Sequence, residues 1–277
     1  MNDRTELARH APYIQAIAGA EDKFIRFSKS HNLVEYQREA NFARMAIEKN
    51  DYLMKIADKH PQSLRDAVIN IAAVGLTLNP AQQYAYIVPR DGAACLDISY
   101  KGLIKLATDS GAIKWVQAEV VYSSDEFEYN GPTEKPTHKS QPFAKDRGDI
   151  IGVYCVAKLA DGDFLTEVMA EADIKDVMLS SPAAAKDHSP WKRFYGEMCK
   201  KTVIKRASKT WPRTEQGERL AEAIEILNEH EGIDDESRNG SYQGLCEQYL
   251  DYSDQISKYS PQAQFKHAAT VSIKDQA

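Results

Sequence analysis

The chain has 277 residues, 43% of them hydrophobic and 27% charged, and its 35 Lys and Arg against 41 Asp and Glu leave a formal net charge of −6. A chain of roughly 300 residues buries about three quarters of the surface its unfolded form exposes, so disorder throughout is excluded. The longest nearly apolar stretch, Val68 to Leu78, is broken by Asn70 and Thr77 and falls far short of the ~20 residues of a membrane span.

The opening, MNDRTELARHAPYIQ, lacks the apolar centre of a signal peptide. The four cysteines, Cys95, Cys155, Cys199 and Cys246, stand at least 44 residues apart and form no CxxC pair. Neither a zinc ribbon nor a disulfide framework is signalled, and the expectation is a reduced, cytoplasmic protein.

Residues 1 to about 60 read as helical. The stretch from Glu35 to Ala57 is dense in helix formers, with Phe42, Met45, Ala46, Leu53 and Ile56 near helical spacing. Pro61 suits the first turn of a further helix, SLRDAVINIAAV, and Gly75 suits its C-terminal cap. A loop, GLTLNP, follows. Tyr84 to Pro89 and Ala94 to Ser99 alternate around Arg90-Asp91-Gly92, a hairpin signal, and Lys101 to Ser110 reads as a helix closed by Gly111. Trp115 to Tyr122 is strand-like, with Glu126 to Tyr129 expected to return beside it, and the polar stretch from Gly131 to Gly148 reads as a long loop. Ile151 to Leu159 and Phe164 to Met169 form a second hairpin around Ala160-Asp161-Gly162-Asp163. Helices are expected from Glu171 to Leu179, from about Pro190 to Lys209 and from Glu215 to Glu229. The order of helices, hairpins and helices is an α+β pattern: β-hairpins and a small antiparallel sheet packed with helices, after a helical N-terminal region and before an acidic, partly disordered C-terminal tail.

Phosphate-cradling GxxxxGK[ST] and GxGxxG loops are missing, as is HExxH, and the seven histidines are scattered. Acidic residues are plentiful, but no pair is picked out as general acid and base; Asp91, Asp97, Asp161 and Asp163 fall in or near hairpins, where turn chemistry accounts for them.

Charge is unevenly spread. From Trp191 to Arg213 eight basic residues face one acid, Glu197, whereas from Thr214 onward thirteen acids face five bases. A polyanion feels such a patch more than the average charge. On a helix, Lys201, Lys205 and Lys209 fall in one row at i, i+4 and i+8, with Arg213 continuing it, while Cys199, Val203 and Ala207 form the opposite, apolar stripe. Cations about 6 Å apart along one face match a phosphate backbone, where each contact releases counterions. The competing reading is a solvated face. Such a face normally carries supporting Glu residues at i−4 or i+4, and only Glu197 before Lys201 fills that role. Lys200 lies near the apolar stripe, where a lysine snorkels or pairs with a buried acid. Tyr100 and Lys101, between a strand and a helix, read either as an aromatic beside a cation that touches base and phosphate or as a core Tyr and a solvated Lys. Tyr84, Tyr86 and Trp115 read as core, and Trp191 as a packing residue at the helix entry.

These residues resemble the RecT family of phage-type single-strand annealing proteins and, more distantly, Redβ. Gly75-Leu76-x-x-Asn79-Pro80 looks like the family's G-L-x-x-x-P segment, and Tyr84 to Pro89, YAYIVP, is similar to its H-A-Y-L-L-P strand. Tyr100-Lys101-Gly102-Leu103-Ile104-x-Leu106-Ala107-x-x-Ser110-Gly111 follows Y-[RK]-G-[LM]-x-x-L-A-x-x-S-G. Pro190-Trp191, with Glu197-Met198-x-Lys200-Lys201-Thr202-x-Ile204-Lys205-Arg206, looks like P-W…E-M-x-K-K-T-x-[IL]-[KR]-[KR]. The resemblance runs from about Pro61 to Pro212 and departs at Thr108-Asp109, where relatives can carry basic residues.

The resemblance implies an ATP-independent recombinase that coats single-stranded DNA and anneals complementary strands in a ring or helical filament of identical subunits. It would work beside a RecE-type 5′→3′ exonuclease and a host single-strand-binding protein. No cofactor is implied, an effect of Mg²⁺ on annealing aside, and no catalytic site is expected. DNA contacts are expected from Tyr100, Lys101, Lys200, Lys201, Lys205, Arg206 and Lys209. The division expected is 1–60 for a helical region making protomer contacts, 61–230 for the annealing core and 231–277 for the tail, which is a solvated end, an internal competitor for the basic groove or a docking segment. The rivals are a Mg²⁺-dependent nuclease using scattered carboxylates and a plain single-strand-binding protein.

Overall fold

The computed structural model describes residues 11–31, 33–181, 184, 189–214 and 217–231; the expected tail lies outside them. The chain divides into two units, residues 1–224 and 225–277.

It opens with four helices: α1 (Pro12–Gly19), α2 (Glu21–His31), α3 (Tyr36–Glu48) and α4 (Asp51–Lys59). The run from Glu35 to Ala57 is thus two helices. Asn50 divides it because its side-chain oxygen accepts hydrogen bonds from the Tyr52 and Leu53 amides at 3.2 and 3.1 Å, capping α4. Met45, expected on the apolar face, is exposed; the buried row of α3 is Tyr36, Glu39, Ala43 and Ile47. α5 (Pro61–Val74) begins at its proline and ends at Gly75, whose φ of 69° is the left-handed cap the sequence suggested. α1 and α2 pack on α5, and α5 packs in turn on the first hairpin.

That hairpin is β1 (Ala85–Arg90) and β2 (Ala93–Ile98), paired antiparallel from Ala85 opposite Ile98 to Arg90 opposite Ala93. Asp91 and Gly92, with φ of 48° and 79°, supply the two left-handed positions of its two-residue turn. α6 (Tyr100–Asp109) follows, capped by Ser99, whose hydroxyl oxygen accepts the Gly102 N–H at 3.1 Å.

The second sheet has the order β3–β6–β7, all antiparallel, from β3 (Ile113–Tyr122), β6 (Ile150–Leu159) and β7 (Phe164–Ala170). β4 (Glu126–Glu128) does not return beside β3; it pairs with β5 (Thr137–Lys139), inside the segment expected to be a loop. The physical reason is a tight turn. The Tyr122 amide bonds the Asp125 side chain at 2.9 Å and the Asp125 amide bonds the Tyr122 carbonyl at 3.0 Å, while Ser123 and Ser124 pair with Asp149 and Arg147. The segment is pinned from its far side as well, since Thr166 of β7 donates to the Pro132 and Glu134 carbonyls at 2.7 and 2.6 Å.

α7 (Glu171–Ser180) packs on β6 and β7. The helix expected from Pro190 to Lys209 is interrupted at Phe194 (φ −139°, ψ 51°), giving α8 (Pro190–Arg193) and α9 (Tyr195–Ser208). α9 lies across β3, β6 and β7 and touches α6. The last element, α10 (Glu218–Glu231), runs across the boundary between the units. The fold is α+β, and no described helix is long and apolar enough to cross a membrane.

Candidate nucleic-acid interface

α9 is held by the apolar stripe that its sequence spelled out: Cys199, Val203 and Ala207 are buried, together with Ile204. Burial pushes the Cys199 thiol up to about 11, against the lowering effect of the Tyr195 hydroxyl, and the Cys155 thiol up to about 12. Both are therefore packing groups and not nucleophiles at neutral pH. Gly196 sits where α9 meets the sheet, and a Cβ there would make ordinary contacts, 3.8 Å from Ile150 and 3.9 Å from Val120.

With that stripe fixed, the cations separate into two groups. Lys201 and Lys205 are half-buried and Lys209 is exposed at the helix C-cap. Their spacing of four residues corresponds to about 6 Å per step. Lys201 makes no ion pair among the described residues. Lys205 and Arg206 lie in the last turn, where cations also complement the helix dipole.

The second group turns toward neighbouring elements. Lys200 Nζ stands 3.4 Å from Glu119 on β3 and 3.9 Å from Glu197. Arg206 Nε is 2.8 Å from Glu167 on β7, and a terminal nitrogen is 3.8 Å from Asp173 on α7. These two side chains tie α9 to the sheet and to α7, and their charge is already partly answered. Arg213 lies past the end of the helix and does not continue the lysine row.

Tyr100 and Lys101 open α6. Lys101 is exposed, and its Nζ donates to Gln83 Oε1 at 2.6 Å, a neutral partner that leaves the positive charge in place. The opposite end of α6 meets the segment after α9, where the Thr214 hydroxyl donates to the Ser110 carbonyl at 3.1 Å. α6 thus runs from Tyr100 and Lys101 to the C-terminal side of the lysine helix, a length of about 15 Å. At Asp109, Lys105 Nζ at 2.8 Å and Arg219 at 3.7 Å surround the acid. The departure from the basic pattern is therefore a structural junction.

Two aromatic residues expected in the core are exposed: Tyr86 at 40% and Trp115 at 38%. Trp115 faces Phe164 across the sheet (ring centroids 6.2 Å), and Lys135 Nζ lies over both rings at 5.5 and 4.4 Å. Trp191 is buried beside Tyr195, as expected.

Among the described residues no His, Cys, Asp and Glu side chains cluster as a metal site. A cavity of about 460 Å³ opens between α2, α3 and the loop at Thr77, with Phe24, Leu33, Lys29, Arg38 and Gln82 in its lining. Its buried carboxylate, Glu39, is engaged by the Thr77 hydroxyl at 2.6 Å and the Leu78 amide at 2.7 Å. Burial raises the Glu39 carboxyl and these two donors oppose it. The arrangement fastens α3 to the GLTLNP loop.

The family model described as RecT family matches residues 38–239. The chain is 34% identical over 159 residues to Protein RecT of Escherichia coli (strain K12), covering 54% of this chain and 58% of that relative. It is 26% identical over 152 residues to the uncharacterized protein YqaK of Bacillus subtilis (strain 168), covering 54% of this chain and 51% of that relative. The chain thus matches little more than half the length of these curated relatives.

Proposed function

Because the chain belongs to the RecT family, we propose that it binds single-stranded DNA and anneals complementary strands in homologous recombination, without ATP. What supports the reading is the lysine row of α9 lying inside the matched residues 38–239. Annealing needs the Watson–Crick edges free, so the protein grips sugar-phosphate and leaves sequence unread. Lys201, Lys205 and Lys209 supply that grip, with Lys101 at the far end of α6; Lys200 and Arg206 position the helix and add field to it. Neutralising phosphates lowers the repulsion between two strands. Stacking in the product, on the order of 1.4 kcal/mol per step, then drives pairing without fuel.

One row of three lysines reaches only a few nucleotides. Useful affinity requires many protomers side by side, in a ring or helical filament, and the N-terminal helices and hairpins are assigned to the protomer contacts. A RecE-type exonuclease would supply the single strands, and a host single-strand-binding protein would compete for them.

The test is a fluorescence annealing assay with complementary oligonucleotides, without nucleotide, at several salt concentrations and with gel analysis of strand integrity. Intact duplex forming faster than in protein-free controls is the expected result. Slower pairing would mean a plain single-strand-binding protein, and strand cleavage dependent on Mg²⁺ would mean a nuclease.

A further inference from the structure

We propose that the face of the β3–β6–β7 sheet turned away from α9 holds a second site for single-stranded DNA, built on Trp115, Phe164, Lys135 and Lys158. The site rests on the annealing reading and adds to the lysine row of α9 a place for a further strand. Sheet register brings the residues together. Trp115 on β3 stands opposite Lys158 on β6, and Lys158 stands opposite Phe164 on β7. Directly opposed residues share a face, so the three form one row. Ala118, Cys155 and Glu167 form another row, and Arg206 of α9 reaches that Glu167 at 2.8 Å. The two rows lie three positions apart on every strand, and an odd spacing puts them on opposite faces of the sheet.

A fourth side chain joins the row from outside the sheet. The bonds from Thr166 to the Pro132 and Glu134 carbonyls tie that segment to β7. Lys135 then places its Nζ over Trp115 at 5.5 Å and over Phe164 at 4.4 Å, while Lys158 Nζ lies 5.7 Å from the Phe164 ring. The two rings are 6.2 Å apart between centroids, and Trp115 is still 38% exposed. Neither Lys135 nor Lys158 makes an ion pair among the described residues.

Aromatic rings on neighbouring strands of an open sheet face, flanked by cations without acids, are the parts that hold a single strand: bases stack on rings and phosphates meet ammonium groups. An exposed cation–π contact is weaker than a base stacked on an aromatic face. A base therefore displaces Lys135 from the rings, and the freed ammonium moves to the adjoining phosphate. Stacking leaves the Watson–Crick edges untouched, as annealing requires. A strand captured on this face is kept at high effective concentration near one gripped by α9.

Trp115 supplies its own readout, because the other two tryptophans, Trp191 and Trp211, are buried at 6% and 4% exposure. The experiment titrates the full chain with a short oligothymidylate over a salt series and takes the Trp115 emission as the difference between the parent and Trp115→Phe. That emission should be quenched and become less accessible to acrylamide, and the quench should persist in a Lys201/Lys205/Lys209 triple variant. Lys135→Ala, on an exposed segment, should flatten the salt slope of the quench by about 0.7. In the triple variant, adding Trp115→Leu should weaken oligonucleotide binding about tenfold without changing the slope, and adding Trp115→Phe, which keeps a π-face, should weaken it less. If the parent binds the oligonucleotide while the Trp115 emission and its acrylamide access stay unchanged, the second site is wrong and the annealing reading survives. A quench that vanishes in the triple variant would likewise overturn a separate site. Quenching by polyglutamate but not by oligothymidylate would replace the DNA strand with an acidic protein partner. If the parent binds no single-stranded DNA at all, the annealing reading fails and the site with it.

Discussion

The α-carbon of Gly102 lies against the carbonyl oxygen of Tyr84: a Cβ at 102 would overlap that oxygen and come within 3.0 Å of Leu76 Cδ1 and 3.1 Å of Ile98 Cγ2. Three segments that carry the family resemblance, around Leu76, Tyr84 and Gly102, are therefore sides of one packing contact. Ser99 locks it by accepting the Gly102 N–H at 3.1 Å and donating its hydroxyl to the Gln83 carbonyl at 2.6 Å. Gly102→Ala gains helix propensity but must push β1 away, and overpacking of this kind costs about 1–3 kcal/mol. The thermal midpoint should fall by roughly 2–4 °C per kcal/mol. An unchanged midpoint would show that the contact yields freely.

A second prediction concerns pH. Burial pushes the Glu222 carboxyl up to about 8, the Glu218 charge adds to this and Arg219 opposes it; one of its oxygens lacks a hydrogen-bond partner. In the unfolded chain the group ionises near 4.5. Between those two values the folded state holds the extra proton, so stability falls as the pH rises through that window. Glu222→Gln should match the parent's thermal midpoint near pH 4.5 and exceed it at pH 8. A variant less stable than the parent at pH 8 would contradict the burial argument.

Asp125 has the opposite sign. Burial alone would raise its carboxyl, but the Tyr122 N–H, His138 and Arg147 outweigh burial and hold it at about 2. His138 Nε2 is 3.1 Å from the carboxylate and its Nδ1 is 3.2 Å from the Tyr154 hydroxyl. Arg147 reaches both oxygens at 3.1 and 3.3 Å and covers the Tyr122 ring. The depressed value contributes stability that is fully present above an ordinary pKa of 3.8 and is lost as the pH falls toward 2. Asp125→Asn should therefore lower the thermal midpoint at pH 7 and match the parent near pH 2. Equal midpoints at pH 7 would show that this cluster does not hold residues 124–149 in place.

Local chemistry made much of this legible in advance. Asp91-Gly92 needed two left-handed residues, Pro61 and Gly75 bracketed α5, and the period of Cys199, Val203 and Ala207 fixed the buried side of α9 and so its lysine side. What stayed hidden depended on partners distant in sequence. The three-residue strands β4 and β5 are too short to carry a pattern, and the chain around them is placed by Asp125, Arg147 and Thr166. Alternation in Ala85-Tyr86-Ile87 shows two faces but not which is inside, and at Trp115 the register shift after Ile113 resets the parity. Arg206 counts among the expected DNA contacts until Glu167 arrives from another strand, whereas Lys200 meets in Glu119 the kind of acid partner that its place near the apolar stripe allowed.

That last distinction yields the prediction on which the candidate interface stands. Replacing Lys201, Lys205 or Lys209 by Ala should weaken binding of single-stranded DNA of any sequence, and each should flatten the slope of log K against log salt by about 0.7–1. Arg206 is held by Glu167 at 2.8 Å and reaches Asp173 at 3.8 Å, acids on β7 and α7. Arg206→Ala should lower the thermal midpoint, since it leaves Glu167 without its partner, and should change the salt slope less than any of the three lysine variants. Measured by fluorescence anisotropy over a salt series, a triple lysine variant with the parent's slope would remove this face of α9 from the DNA path. A larger slope change for Arg206→Ala than for Lys201→Ala would mean that the arginine leaves its acids for a phosphate, and the division between gripping and positioning cations would have to be reversed.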